Sequence, residues 1–381
     1  VLNAPAARGA LTILFLVDGM VFASWASRLP QVQQAVGAGN GGLGVALIGT
    51  AAGAFIAMPL AGWWCRRHPA APLALLAALL MCFVVPLPAL ASSPAALIGL
   101  LAVFGIGYGA VDVAMNSAAV QVAEHLERPL LPSFHAAFSA GNVVGAAAGA
   151  ILAAQGVSVL THLLGVGAAG ALLLAANATG LWRTGVASGV GTIVRGRAGL
   201  LVVAAAALTC ATAFAEGTVA NWSGIHLRDA AAASAGTAPL GYAAFAVAQV
   251  AGRIAGTPIA ERCGPRRTAA VSVLLAVAGL LCALVPQLVP AIGGYFLAGL
   301  GLSCLFPLGV ARAGELSAST GVAVASTAGY GGFLLGPPAI GLLAEAGSLS
   351  TALLVPVLLL VACAVVVRTL PARTSPAVSH A

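Results

Sequence analysis

Twelve stretches of about 20 mostly apolar residues follow one another along this chain, each of the length a membrane-spanning helix needs. They fall roughly at 9–29, 42–65, 70–91, 95–120, 133–155, 158–182, 199–227, 237–260, 267–287, 290–312, 318–344 and 349–369. A backbone in hydrocarbon must satisfy its own hydrogen bonds, so each stretch is expected to be helical. Composition agrees: 61% of the 381 residues are hydrophobic and 7% are charged, against about 25% charged in an average soluble domain. The expected fold class is an all-α integral membrane protein with twelve transmembrane helices. Asp18 interrupts the first apolar stretch, which speaks against a cleaved signal peptide.

The few charges set the orientation. All sixteen basic residues are Arg. With the N-terminus in the cytoplasm, Arg66, Arg67, Arg128, Arg183, Arg195, Arg197, Arg262, Arg266, Arg267 and Arg312 fall in inside connections. The termini add Arg8, Arg368 and Arg373; Arg28 and Arg228 fall outside, and Arg253 lies within a span. This asymmetry predicts that both termini are cytoplasmic. The net charge of +7 is thereby explained by short loops facing a bilayer, with no nucleic-acid partner expected. Trp63, Trp64 and Trp182 flank cytoplasmic helix ends and read as interfacial anchors. The Ala-, Gly- and Arg-rich composition points to a GC-rich bacterial genome, and the expected location is the bacterial cytoplasmic membrane. Seven Cys lie mostly in apolar segments without metal-ligand spacing, so neither disulfides, metal nor cofactor is expected. With no phosphate-binding Gly loop and no ATP-binding domain, the chain reads as a gradient-driven device and not as an enzyme.

The chain repeats itself. Asp18-Gly19 followed by Ser24-Trp25-Ala26 has a counterpart about 197 residues on, in Glu216-Gly217 followed by Asn221-Trp222-Ser223. Gly105 to Gly109 in the fourth stretch matches Gly299 to Ser303 in the tenth. The expected division is a six-helix half over 1–183, a cytoplasmic linker over 184–198, a second half over 199–370 and a tail over 371–381. Two such halves, related by a pseudo-two-fold axis, would place a solute site at midplane between them.

Polar groups inside the spans are the candidate functional residues, because charge in hydrocarbon costs several kcal/mol. Asp18 lies near mid-membrane in the first span. A desolvated carboxylate there can take up and release a proton during a cycle, or can hydrogen-bond a neighbouring helix. Trp25 shares its face. Tyr108, Asp112 and Asn116 form an i, i+4, i+8 stripe on the fourth span. His135, Phe138, Asn142 and Gly145 form one on the fifth, with His135 near the cytoplasmic end. These two stripes read as an inner gate or proton relay, or as an interhelical packing network. Glu216 and Asn221 lie in the seventh span. Tyr242, Phe245, Gln249 and Arg253 share a face of the eighth, where Arg253 needs a counter-charge from Asp112 or Glu216. Tyr330 and Phe333 in the eleventh are candidates to line a cavity.

Asp112-Val113-Ala114-Met115-Asn116 with Ser133-Phe134-His135-Ala136-Ala137-Phe138-Ser139 resembles the YbjJ-like bacterial branch of the major facilitator superfamily. Glu216-Gly217, Asn221-Trp222-Ser223, Leu227-Arg228-Asp229 and Gly331 to Pro338 carry the same resemblance. More distantly the chain is similar to the fucose permease group, where acids on the first and fourth helices serve proton coupling and sugar binding. That resemblance implies such roles for Asp18 and Asp112. The superfamily's acidic residue in the loop after the second span is missing at Gly62-Trp63-Trp64-Cys65-Arg66-Arg67, whereas Glu261-Arg262 keeps it in the second half. Gly141, Gly145 and Gly149 occur without the Pro of drug exporters, and Asp112 stands in a helix that carries Arg in those exporters.

The expectation is a monomeric, proton-coupled symporter that moves a small polar organic solute, such as a sugar or related metabolite, by alternating access. Asp18, Asp112, Glu216 and His135 are the coupling candidates. Trp25, Tyr108, Asn116, Asn142, Asn221, Gln249, Arg253 and Tyr330 are the solute-binding candidates. Efflux of a metabolite or toxic amphiphile, and a non-transporting sensor that kept the fold, are the alternatives.

Overall fold

The computed structural model describes residues 4–126, 130–182 and 199–368. Helix dominates them, and no strand occurs among the described residues. In order these helices are α1 (Ala4–Ser27), α2 (Leu29–Ala35), α3 (Asn40–Cys65), α4 (Ala70–Val84), α5 (Pro94–His125), α6 (Leu131–Ala154), α7 (Val159–Ala176) and α8 (Ala178–Trp182). They continue as α9 (Leu200–Ala231), α10 (Leu240–Cys263), α11 (Pro265–Ala283), α12 (Leu288–Leu302), α13 (Leu305–Ala346), α14 (Leu349–Ala352) and α15 (Leu354–Val367). A short 3-10 turn, Leu87–Leu90, links α4 to α5. The expected linker and tail, and Arg128, Arg183, Arg195, Arg197 and Arg373, lie outside the described residues.

Ten helical stretches among the described residues are long and apolar enough to cross a membrane. The expected eighth stretch, which holds Gln249 and Arg253, and the expected eleventh are not among these ten. The expected first span ends at Ser27, and Pro30 then starts the short α2 in the first turn, where its missing N–H costs nothing. The connection expected at 313–317 has helical backbone instead, so α13 takes in both flanking stretches, Leu305 to Ala346. That connection holds no Pro, and Arg312 pairs with Glu315 at 3.0 Å on one face. Within α13 the chain still turns back. A Cβ on Gly321 would strike the carbonyl of Ala313, eight residues earlier and about 12 Å away in a straight helix. The seven Cys are free, and Cys263, the last residue of α10, is exposed and not in an apolar core.

The chain forms two compact units. One contains the described residues up to 182 together with 220–243 and 337–349. In it α1 lies against α6 at backbone contact: a Cβ on Gly141 would meet the Leu16 carbonyl, and one on Gly19 would stand 3.1 Å from the Asn142 nitrogen. The α3 and α5 helices meet the same way through Gly53 and Gly105. Arg28, fully buried just beyond α1, donates to the carbonyls of Gly149 and Val157 around the end of α6, so a cation faces the negative end of that helix.

Segments 220–243 and 337–349 join this unit at the end where α1 finishes. Arg228 donates to the Pro30 carbonyl at 3.1 Å and to Gln33 Oε1 at 2.9 Å, and pairs with Asp229 at 2.7 Å. The Gly41 amide, in the first turn of α3, donates to Glu345 Oε2 at 3.0 Å. Buried Trp222 donates from Nε1 to the Pro337 carbonyl at 2.9 Å. The second unit contains 199–219, 244–336 and 350–368. There α9 meets α13 where a Cβ on Gly217 would lie against the Phe333 backbone.

Candidate functional site

In the first unit the antiparallel α1 and α5 face each other in rungs one turn apart. Trp25 and Phe104 have ring centroids 5.9 Å apart, and Phe22 and Tyr108 are 5.5 Å apart. One turn further along both helices, the next rung is Asp18 and Asp112. One helical turn from Phe22 and from Tyr108, these acids lie on the stripes along which the two helices meet. Asp18 is 3% exposed, and neither of its carboxylate oxygens has a hydrogen-bond partner. Asp112 is buried, and Asn116, one turn beyond it, donates to its backbone carbonyl at 2.8 Å and to Oδ1 at 3.3 Å. Asn142 on α6 reaches the same level beside Gly19, and its Oδ1 is buried without a partner.

His135 stands near the start of α6. It is exposed and lies edge-on to Phe15, with centroids 5.4 Å apart. Trp25 and Asn221 are buried, at 1% and 8% exposure. Tyr108 and Asn116 are half-buried, and so is Tyr330 on α13 in the second unit.

The second unit has its own polar cluster, between α9 and α10. Gln249 Nε2 donates to Glu216 Oε1 at 2.7 Å, and Arg253 Nη2 stands 3.9 Å from the same oxygen. Glu216 is therefore a counter-charge of Arg253 within this unit. Gln249 is buried, with its Oε1 unpartnered. The Glu216–Gln249 bond and the aromatic rungs of Phe22 and Phe104 were not singled out from sequence. The i+4 step from Phe104 to Tyr108 to Asp112 was the available signal for the latter. Among the described residues, no three His, Cys, Asp or Glu side chains gather as they would around a metal ion.

Buried acids on packed, glycine-rich helices that cross a membrane define the class: a multi-pass helical protein with polar groups placed inside its bundle. The profile of the Major Facilitator Superfamily matches residues 201–381. The uncharacterised transporter y4wD of Sinorhizobium fredii is 35% identical over 346 residues, covering 88% of this chain and 90% of that protein. An uncharacterised MFS-type transporter of Yersinia pestis is 33% identical over 351 residues, covering 89% of each. Among solved structures, a bacterial homologue of the human lysosomal transporter Spinster superposes with a TM-score of 0.75 at 16% identity, over 97% of this chain and 98% of that one. A single-residue variant of the Escherichia coli fucose:proton symporter gives 0.64 at 18% identity, over 97% and 98%. The chain belongs to the Major Facilitator Superfamily and is a membrane transporter.

Proposed function

We propose that this transporter is proton-coupled and moves a small polar organic solute, a sugar or a related metabolite, across the bacterial cytoplasmic membrane. It works as a monomer with cytoplasmic termini, by rocking its halves, 1–183 and 199–370, around a central site. The observation that carries this reading is Asp18: a buried carboxylate, without a hydrogen-bond partner, on the same rung as a second acid. Two facing acids in a water-poor site do not both stay ionised easily, so proton occupancy depends on what else occupies the site. Asp18 and Asp112 are the coupling pair, His135 tunes the cytoplasmic end, and Glu216 serves the second half. Asn142, Tyr108 and Asn116 offer hydrogen bonds to solute from the first half, and Gln249, Arg253 and Tyr330 from the second. Trp25 and Asn221 add to the lining.

The test is solute flux in proteoliposomes. Asp18→Asn and Asp112→Asn are expected to abolish accumulation driven by a pH gradient while leaving counterflow exchange measurable. Accumulation against a gradient by both variants would remove the coupling role from this pair.

A further inference from the structure

The end of α3 carries a cluster that the transport reading does not use. Its sequence, Gly62-Trp63-Trp64-Cys65-Arg66-Arg67-His68, has two Arg, two Trp and no acid. The matching joint in the second half has Glu261 beside Arg262, Arg266 and Arg267, and no Trp. Arg66 and Arg67 are both exposed. None of the ion pairs among the described residues includes either, and Glu124 near the end of α5 is in none of them. Two adjacent cations with no carboxylate on them leave a local positive charge. The aromatic rings order this cluster. The Arg67 guanidinium lies over the Trp63 ring, 4.4 Å from its centroid. The His68 ring stacks on Trp64 with centroids 4.1 Å apart, and its Nδ1 stands 3.4 Å from the Trp64 carbonyl. A guanidinium stacked by its face keeps the N–H groups at its edge for an oxygen acceptor.

The same face of α3 continues into the bilayer. Ile56, Leu60, Trp63 and Arg67 follow at steps of four, three and four residues, so they form one stripe. Ile56, Leu60 and Trp63 are exposed, whereas Ala57, Ala61 and Cys65 are buried on the other side of the helix. From Ile56 to Arg67 the stripe is about 16 Å long, which is one leaflet of a hydrocarbon core about 30 Å thick. An apolar strip of that depth, ending in aromatic rings and two Arg without a carboxylate, has the length and charge to match a phospholipid with a negative headgroup.

We propose that this corner of the first half binds one anionic phospholipid, of the phosphatidylglycerol type, from the leaflet in which α3 ends. One acyl chain lies along Ile56, Leu60 and Trp63, and the headgroup phosphate accepts hydrogen bonds from Arg66 and Arg67. The phosphate stands in for the carboxylate that the second half keeps at Glu261. A zwitterionic lipid also brings a phosphate, but its ammonium offsets that charge beside two Arg, so the anionic lipid is preferred. This assignment needs only a membrane-spanning chain. It does not depend on which solute moves or on proton coupling.

The test uses the whole protein in phosphatidylcholine nanodiscs that contain a trace of photoactivatable lipid. The probe carries a diazirine in its acyl chain and either a phosphatidylglycerol or a phosphatidylcholine headgroup. After illumination, peptide mass spectrometry locates the adducts. On residues 56–64 the phosphatidylglycerol probe is expected to label about fivefold or more above the phosphatidylcholine probe, the factor that one Arg near an anionic headgroup contributes. Arg66→Gln/Arg67→Gln is expected to bring the two probes within about twofold of each other, and Arg266→Gln/Arg267→Gln to leave the preference as it was. Trp63→Leu keeps the strip apolar but removes the ring beneath Arg67, and should lower the preference by about twofold or more. Millimolar inorganic phosphate, compared with chloride at the same ionic strength, is expected to change nothing. Equal labelling by the two probes makes the cluster a plain interfacial anchor and overturns the proposal, as does a preference that survives the loss of both Arg. Loss of the preference in phosphate but not in chloride assigns the cluster to a free anion and overturns the lipid assignment.

Discussion

At the scale of single residues, the cluster in the second unit shows how a buried charge is shared. Glu216 takes its short bond from Gln249 at 2.7 Å, while Arg253 stands off at 3.9 Å. The amide therefore holds the acid in place, and the guanidinium balances its charge at longer range. Removing the amide should cost more when the acid is present than when it is absent. A double-mutant cycle over Glu216→Gln and Gln249→Leu, measured by thermal unfolding in detergent, is expected to show a coupling of about 1 kcal/mol. A coupling indistinguishable from zero would mean that the 2.7 Å bond does not hold in solution. The residue types in this cluster were readable from the i+4 spacing of Gln249 and Arg253, but their partners were not. Two acids were candidates for Arg253 in sequence, and the packing of α9 on α10 is what brings Glu216 to it. Asp18 was legible because an acid in an apolar run stands out. Its pairing with Asp112 became visible only when the aromatic rungs fixed how α1 and α5 align.

At the scale of helices, the glycines decide which pairs can approach. Gly141 faces the Leu16 carbonyl with no room for a side chain, whereas Gly99 on α5 has nothing within 4 Å of its missing Cβ. Gly141→Val is expected to destabilise the protein by about 3 kcal/mol or more, since the obstacle is backbone and not a side chain that can turn away. Gly99→Val should stay within about 0.5 kcal/mol. Melting temperatures of the two variants in one detergent make the comparison. Repeated small residues in the fifth stretch announced close packing, but not its partner. The Glu345 contact adds an electrostatic element. A carboxylate at the first turn of α3 stabilises the positive end of a 26-residue helix, from more than 300 positions along the chain. Glu345→Gln keeps the shape and removes the charge, so hydrogen exchange over residues 39–44 should run about two- to fivefold faster. No local pattern marks Glu345 as a cap, because capping residues are normally sought next to the helix they serve. The boundary between α12 and α13 is hidden in the sequence for a related reason. The short connection at 313–317 has helix-compatible residues, and its turn is made by close approach at Gly321 instead of by a breaker in the sequence.

At the scale of the whole molecule, orientation follows from arithmetic on arginine. Apolar length gave the helical class, and the two-fold repetition of Asp18-Gly19 and Glu216-Gly217 gave the family's plan, because both depend on pattern and not on contact. The side on which the termini lie depends on where thirteen of the sixteen Arg are placed. Arg66 and Arg67 follow α3, and Arg262, Arg266 and Arg267 surround the joint of α10 and α11. Arg66 and Arg67 close the helix whose first turn binds Glu345, so they lie one crossing away from that bond. If the positive groups face the cytoplasm, alkaline phosphatase fused after Gly37 or Ala235 should be active in the periplasm. Green fluorescent protein fused after His68 or Arg368 should fluoresce in the cytoplasm. Each reporter should clearly exceed its value at the opposite set of sites, as a charge bias carried by short loops predicts. The reverse pattern would invert the molecule. The Arg228 and Glu345 end would then face the cytoplasm, and His135, near the opposite end of its helix, would be exposed to the external pH instead of the internal one.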